Sequence, residues 1–188
     1  EKSAKLNNTN AFVNLVLLYL NGEGVEQNYL MAKEYFEKSA KFNNSDAFLQ
    51  LGSLYEYGNG VEQNYSKAKY YYELSSQLNN STAHFYLGNF YSTGDIFNIC
   101  IPKAIDYYLK SISIERGNKV DIMNENIYIS FKSNLYRYIS MNNLGLIYLL
   151  LQNDEEKANK YLQEAAFNEY PFGQNNFGLF NQFYLKNI

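Results

Sequence analysis

The 188 residues include one cysteine, one histidine, two prolines and no tryptophan. With Cys100 alone, no disulfide can staple the chain internally, and a reducing compartment is the default expectation. His84 and Cys100 have no third ligand or supporting carboxylate in any recognisable spacing, so neither a metal site nor a nucleophilic dyad is expected. Basic charge is scarce as well. Sixteen Lys and Arg face nineteen Asp and Glu, for a net charge of −3 and no basic run. Phosphate neutralisation needs clustered Lys and Arg, so nucleic acid is not an expected partner. The longest apolar run, Leu144 to Leu151, is broken by Gly145 and falls far short of the ~20 residues of a membrane helix. No membrane insertion is expected in this segment.

Aromatics and asparagine are plentiful: 20 Tyr, 13 Phe and 27 Asn. They recur in phase. Ala11, Ala47 and Ala83 are 36 residues apart, as are Ala32, Ala68 and Ala104, and Gly22, Gly58 and Gly94. Tyr35-Phe36 returns as Tyr71-Tyr72 and as Tyr107-Tyr108. A fixed period of this length marks a stacked array in which each unit buries its apolar face on its neighbours.

Each period reads as two helices. Ala47, Leu51, Leu54 and Tyr55 recur at helical spacing. Gly58 suits the left-handed residue that ends a helix, and Asn64 suits the cap of the next. Ala68, Tyr71, Tyr72 and Ser75 form the stripe of that second helix, and Ser81 is the candidate cap after the turn Asn79-Asn80. Asn153 to Glu156 has a capping-box pattern. The third period is degraded: Ile96 replaces a turn glycine, Cys100 replaces the capping Asn, and Pro102 follows in a first helical turn.

The phase fails once. Leu144-Gly145 matches Leu51-Gly52 and Leu87-Gly88, but follows the latter by 57 residues. The expected organisation is one continuous array. Residues 1–8 end a preceding repeat, 9–44 are repeat 1, 45–80 repeat 2 and 81–117 repeat 3. Residues 118–138 are an insertion, too apolar for a floppy linker, that packs as extra helical turns or an ordered loop. Residues 139–170 are repeat 4, and 171–188 are the first helix of a further repeat or a cap. The off-phase start leads us to expect a piece of a longer chain.

These motifs resemble the Sel-one-like repeat (SLR), a relative of the tetratricopeptide repeat (TPR). The family pattern is matched in repeat 2 by Ala47, Leu51, Gly52, Tyr55, Gly58, Gly60, Val61, Asn64, Lys67, Ala68, Tyr71, Tyr72 and Ser76. Repeat 1 departs from it at Val16, where the family has Gly, and at Met31, where it has Lys. Repeat 4 keeps Leu144, Gly145, Tyr148, Ala158, Tyr161, Ala165 and Ala166 but lacks the Gly-x-Gly turn. The resemblance implies an all-α fold: a right-handed α-solenoid, or superhelix, of antiparallel helix pairs. It also implies a scaffold or adaptor role.

Candidate chemistry yields to the repeat. His84 is expected to be a surface or packing residue, and Cys100 a small turn residue. Gly22-Glu23-Gly24 and Gly58-Asn59-Gly60 lack the strand and the Gly-Lys-Ser/Thr ending of a phosphate loop. Glu155-Glu156 suits the dipole at a helix start. Tyr71 and Tyr72 are repeat-core positions rather than a modification motif. No catalytic residue, cofactor or metal ligand is therefore expected.

The resemblance implies a protein or peptide partner, held in a concave groove that the first helices line in TPR-like stacks. The groove positions are Val13 and Leu17; Leu49, Ser53, Glu56 and Tyr57; Phe85, Asn89 and Ser92; and Asn142, Leu146 and Leu149. Almost no Lys or Arg lies among them, so a carboxylate-clamping groove is disfavoured and an extended or helical peptide with apolar anchors fits better. The expected function is a non-enzymatic interaction scaffold. One alternative is the regulatory or substrate-docking region of a larger enzyme such as a protein kinase. Another is an endoplasmic-reticulum quality-control adaptor. The expected location is cytoplasmic, with the endoplasmic-reticulum lumen as the alternative. Five glycosylation sequons bear on that choice, at Asn7, Asn43, Asn64, Asn79 and Asn80.

Overall fold

The computed structural model of the chain describes residues 16, 19, 20, 24, 26–93, 98–114, 126–167, 174, 176–179 and 181, with backbone alone for 126–134. All regular structure among them is helical. The helices are α1 (Tyr29–Ala40), α2 (Ser45–Tyr57), α3 (Tyr65–Gln77), α4 (Ser81–Thr93), α5 (Ile101–Ser113), α6 (Asn126–Leu150) and α7 (Glu155–Phe167). They form two compact units, Glu1–Ala83 and His84–Ile188.

In the first unit α1 packs on α2, and α2 on α3. The pairing of α2 with α3 is antiparallel. Tyr55 stacks on Tyr71, Gly52 lies against Tyr72, and the Ser75 hydroxyl donates to the Ser45 carbonyl at 2.8 Å. The core gathers Val16, Ala32, Phe36, Ala47, Leu51 and Leu54, with Tyr19, Tyr35 and Tyr71 packed against it. Most of these are the positions the 36-residue period selects, because a helix in a stack can bury only its repeating stripe.

Close approach of the two helices depends on the Leu-Gly pair. A Cβ at Gly52 would lie 2.5 Å from Cε1 of Tyr72, and one at Gly88 would lie 2.7 Å from Cδ1 of Tyr108. At Gly145 it would lie 2.6 Å from Cγ of Leu162. In these three repeats the bulky residue of the second helix therefore occupies the space a first-helix side chain would need.

Asparagine builds the turns. Asn43 and Asn79 adopt left-handed φ values of 56° and 59°, a region in which Asn is more tolerated than other non-glycine residues. The next residue caps the following helix: Asn44 Oδ1 accepts from the Ala47 amide at 2.9 Å. Asn80 Oδ1 accepts from the amides of Thr82 and Ala83, and the Asn80 side-chain amide donates to Asp46 at 2.8 Å. The cap before α4 is thus Asn80, and Ser81 is already the first helical residue. Within a repeat, Gly58 ends α2 at φ 72° and Asn64 Oδ1 caps α3 through the Lys67 amide.

In the second unit α5 packs on α6, and α6 on α7. The described part of the expected insertion is helical. Residues 126–138 run without a break into the first helix of repeat 4, so α6 reaches 25 residues, while 118–125 lie outside the described residues. Tyr136 packs on Phe85 with ring centroids 4.9 Å apart, and its hydroxyl lies 2.9 Å from that of Tyr86. Ser140 is fully buried; its hydroxyl donates to the Tyr136 carbonyl at 2.9 Å and lies 3.2 Å from the Ser111 hydroxyl. Before α7, Asp154 accepts from the Lys157 amide at 3.0 Å. Asn153, the first residue of the anticipated capping box, instead takes a left-handed φ of 50° and closes the shortened loop. Phe177, in the last helical residues, packs with Leu146 and Leu149 against Ala158 and Leu162.

Candidate partner-binding face

The geometry of the first helices of repeats 2 and 3 follows from the tyrosine at the base of their helix pairs. Tyr72 and Tyr108 are fully buried, so their hydroxyls need partners inside the fold. Tyr72 donates to Glu56 Oε2 at 2.5 Å. Tyr108 donates to Asn89 Oδ1 at 2.7 Å, lies 3.1 Å from the Ser92 hydroxyl and accepts from Asn143 Nδ2 at 3.2 Å. Glu56 and Ser92 occupy the same repeat phase, as do Ser53 and Asn89. Burial is the main influence raising the Glu56 carboxyl above its ordinary range, and the Tyr72 hydroxyl partly opposes it. Burial likewise raises the Tyr108 phenol, against the hydrogen bonds from Ser92 and Asn143.

The expected groove residues divide by exposure. Leu49, Phe85 and Asn142 are buried; Asn142 Oδ1 accepts from Asn176 Nδ2 at 2.7 Å. Ser53, Glu56, Asn89, Ser92, Leu146 and Leu149 are half-buried, and Tyr57 is exposed at 58%. Val13 and Leu17 lie outside the described residues. Asn143 and Asn176 were not among the expected residues, yet they bond to Asn89 and Asn142. Their signal was present: Gln50, Asn143 and Asn176 each stand two residues before the glycine of a Leu-Gly or Phe-Gly pair.

Another regularity lies on the second helices. Every repeat holds a stacked tyrosine pair: Tyr19 on Tyr35, Tyr55 on Tyr71, Tyr91 on Tyr107 and Tyr148 on Tyr161. Lys67, Lys103 and Lys157 lie about 5 Å over Tyr55, Tyr91 and Tyr148. Repeat 1 has Met31 at that phase. The lysines of these repeats thus serve packing, each contact contributing about 0.5–1 kcal/mol at such partly exposed sites.

His84 is buried, with its ring 6.0 Å from that of Tyr107 and Nδ1 unbonded among the described residues. Burial, and then Lys110, depress its basicity, while Asp106 opposes them. It packs as a neutral ring. Cys100 holds the cap position of α5 without a side-chain bond. Among the described residues no three His, Cys, Asp or Glu side chains gather into a potential metal site, and no helix is long and apolar enough to cross a membrane.

The Sel1 repeat family model matches residues 17–41, 45–80, 81–113 and 139–166. No curated protein sequence matches the chain. A Sel1 repeat protein from Oxalobacter formigenes is similar in structure at TM-score 0.70 and 22% identity, over 90% of this chain and 63% of that one. A protective antigen of uropathogenic Escherichia coli displaying an SLR fold is similar at TM-score 0.54 and 25% identity, over 94% of this chain and 42% of that one. The chain thus spans less than two thirds of the length of either protein. These likenesses carry the fold, an all-α helical repeat solenoid, and the family is generally a non-enzymatic protein-interaction module. With four matched repeats and the glycine, tyrosine and cap positions recurring in them, the chain belongs to the Sel1 repeat family.

Proposed function

We propose that this array is a non-enzymatic scaffold that holds a peptide or protein partner on the exposed faces of its first helices. The observation that carries the reading is accessibility left over after the repeats have packed. Stacked tyrosines close all four repeats, Leu-Gly contacts three of them, and side-chain caps start every described second helix but α5. Ser53, Glu56 and Tyr57 in the first unit, and Asn89, Ser92, Leu146 and Leu149 in the second, nevertheless keep surface at recurring phases. Glu56 is the single charged residue of the set, so an acidic peptide is repelled and a segment with apolar anchors is favoured.

The test uses the exposed Tyr57 and the half-buried Ser53. A peptide selected from a random library on the whole chain should bind Tyr57→Ala and Ser53→Lys at least about tenfold more weakly, a loss of about 1.4 kcal/mol. Tyr57→Ala should keep its melting temperature, because changes at exposed positions cost within about 0.5 kcal/mol; where Ser53→Lys melts lower, Tyr57→Ala decides alone. Unchanged affinity in both would refute this face. Phe85→Ala is no substitute: its 6% exposure makes it a core truncation costing about 3–5 kcal/mol.

A further inference from the structure

We propose that His84 is an acid-sensitive latch: protonation of its ring opens the α4–α5 pair of the second unit at mildly acidic pH. His84 is the single histidine of the chain, and histidine is the side chain whose ordinary titration falls between about pH 5 and 8. It is 8% exposed, and its ring lies against the Tyr107 ring of α5 with centroids 6.0 Å apart. An imidazolium carries a donor on each ring nitrogen. Nδ1 is sealed from solvent and meets no acceptor among the described residues. The helix adds a second obstacle. His84 is the fourth residue of α4, in the first turn, where the backbone amides already present partial positive charge. A third obstacle comes from α5. Lys110 and Asp106 are the charged groups that act on the ring, and they are bonded to each other at 2.8 Å. The Asp106 carboxylate is thus committed to the lysine, and α4 itself holds no Asp, Glu, Lys or Arg.

The neutral ring is therefore the form the fold accepts. In the unfolded chain the same ring titrates at its ordinary value, about 6.5. As pH falls through that value, the unfolded chain takes up a proton that the folded unit refuses. Stability is lost from there down to the lower midpoint of the folded ring. The loss falls first on the helix pair that buries the ring. The same α4 carries Phe85, Asn89 and Ser92. On the scaffold reading above, a partner held there is released as the pair opens; the opening itself does not depend on that reading.

The experiment follows the His84 Cε1 proton of the whole chain by NMR, a single signal because the chain has one histidine. Its titration midpoint should lie below that of the same signal in concentrated urea. Hydrogen exchange is then compared between the parent and His84→Phe at about pH 7.5 and about pH 5, which bracket the histidine range. Comparison at the same pH cancels the intrinsic pH dependence of exchange. In peptides from α4 and α5, the ratio of parent to variant exchange should rise on acidification, by up to about tenfold for each unit between the two NMR midpoints. In α1, α2 and α3 that ratio should stay constant. A folded midpoint at or above the urea midpoint overturns the inference. So does a ratio that is the same at both pH values, or one that rises equally in α1, α2 and α3. His84→Gln repeats the comparison with a side chain that also does not titrate. If both variants melt lower than the parent near neutral pH, the NMR midpoints decide alone. None of these outcomes bears on peptide binding at Tyr57 or Ser53, so the scaffold reading stands or falls separately.

Discussion

At the scale of single residues, the fold turns on a pairing of the smallest side chain with a large one. Tyr72 is fully buried against Gly52, and its ring cannot swing into solvent without surrendering both that burial and its bond to Glu56. Gly52→Ala should therefore destabilise the chain even though alanine favours helix by about 1 kcal/mol. Overpacking costs about 1–3 kcal/mol, so the urea midpoint should fall. A midpoint at or above the parental value would mean that the ring yields, and that the glycine is not required for the approach. Repeat 1 shows a different solution. Val16 stands at the glycine phase and Phe36 at the tyrosine phase, and both are buried in one cluster. A side chain is admitted there with a ring that carries no hydroxyl.

At the scale of elements, the helix ends were largely readable, because capping is local chemistry. Gly58 and Asn64 do what their positions suggest. Ser81 and the capping box at Asn153 were misjudged because two good capping residues stood side by side, and the left-handed turn residue decides which one caps. The helical course of residues 126–138 was less legible: its apolar content suited a packed loop as well as a helix. One backbone contact is common to all four repeats. The amides of Asn28, Asn64, Cys100 and Asp154 donate to the carbonyls of Tyr19, Tyr55, Tyr91 and Tyr148 at 2.8–2.9 Å. Cys100 keeps this bond, with φ −139° and ψ 83° close to the −152° and 98° of Asn64. It lacks only the side-chain cap. Cys100→Asn should therefore supply an acceptor for the Lys103 amide and raise stability by about 1 kcal/mol, read as a higher denaturation midpoint. A lower midpoint would show that the packing of the thiol outweighs the cap.

At the scale of the whole molecule, periodicity made the fold legible but not which of the recurring positions stay exposed. A repeat reports which phases recur. It does not report which recurring phases the packing consumes, and so Leu49, Phe85 and Asn142 read as groove residues although they are buried. Asn143 escaped notice because the bond it makes is to Tyr108, a residue 35 positions away. The division into Glu1–Ala83 and His84–Ile188 was likewise invisible to a period that runs through residue 83 without interruption. It bears on how the array opens. In a stack stabilised by neighbouring contacts, a local defect is felt most within its own cooperative unit. Gly52→Ala lies in the first unit, so hydrogen exchange should accelerate in α1, α2 and α3 well before α5, α6 and α7 respond. Mass spectrometry of peptides from each unit reads this directly. If protection fell equally in both, the chain would open as one body, and the two compact units would have no separate thermodynamic standing.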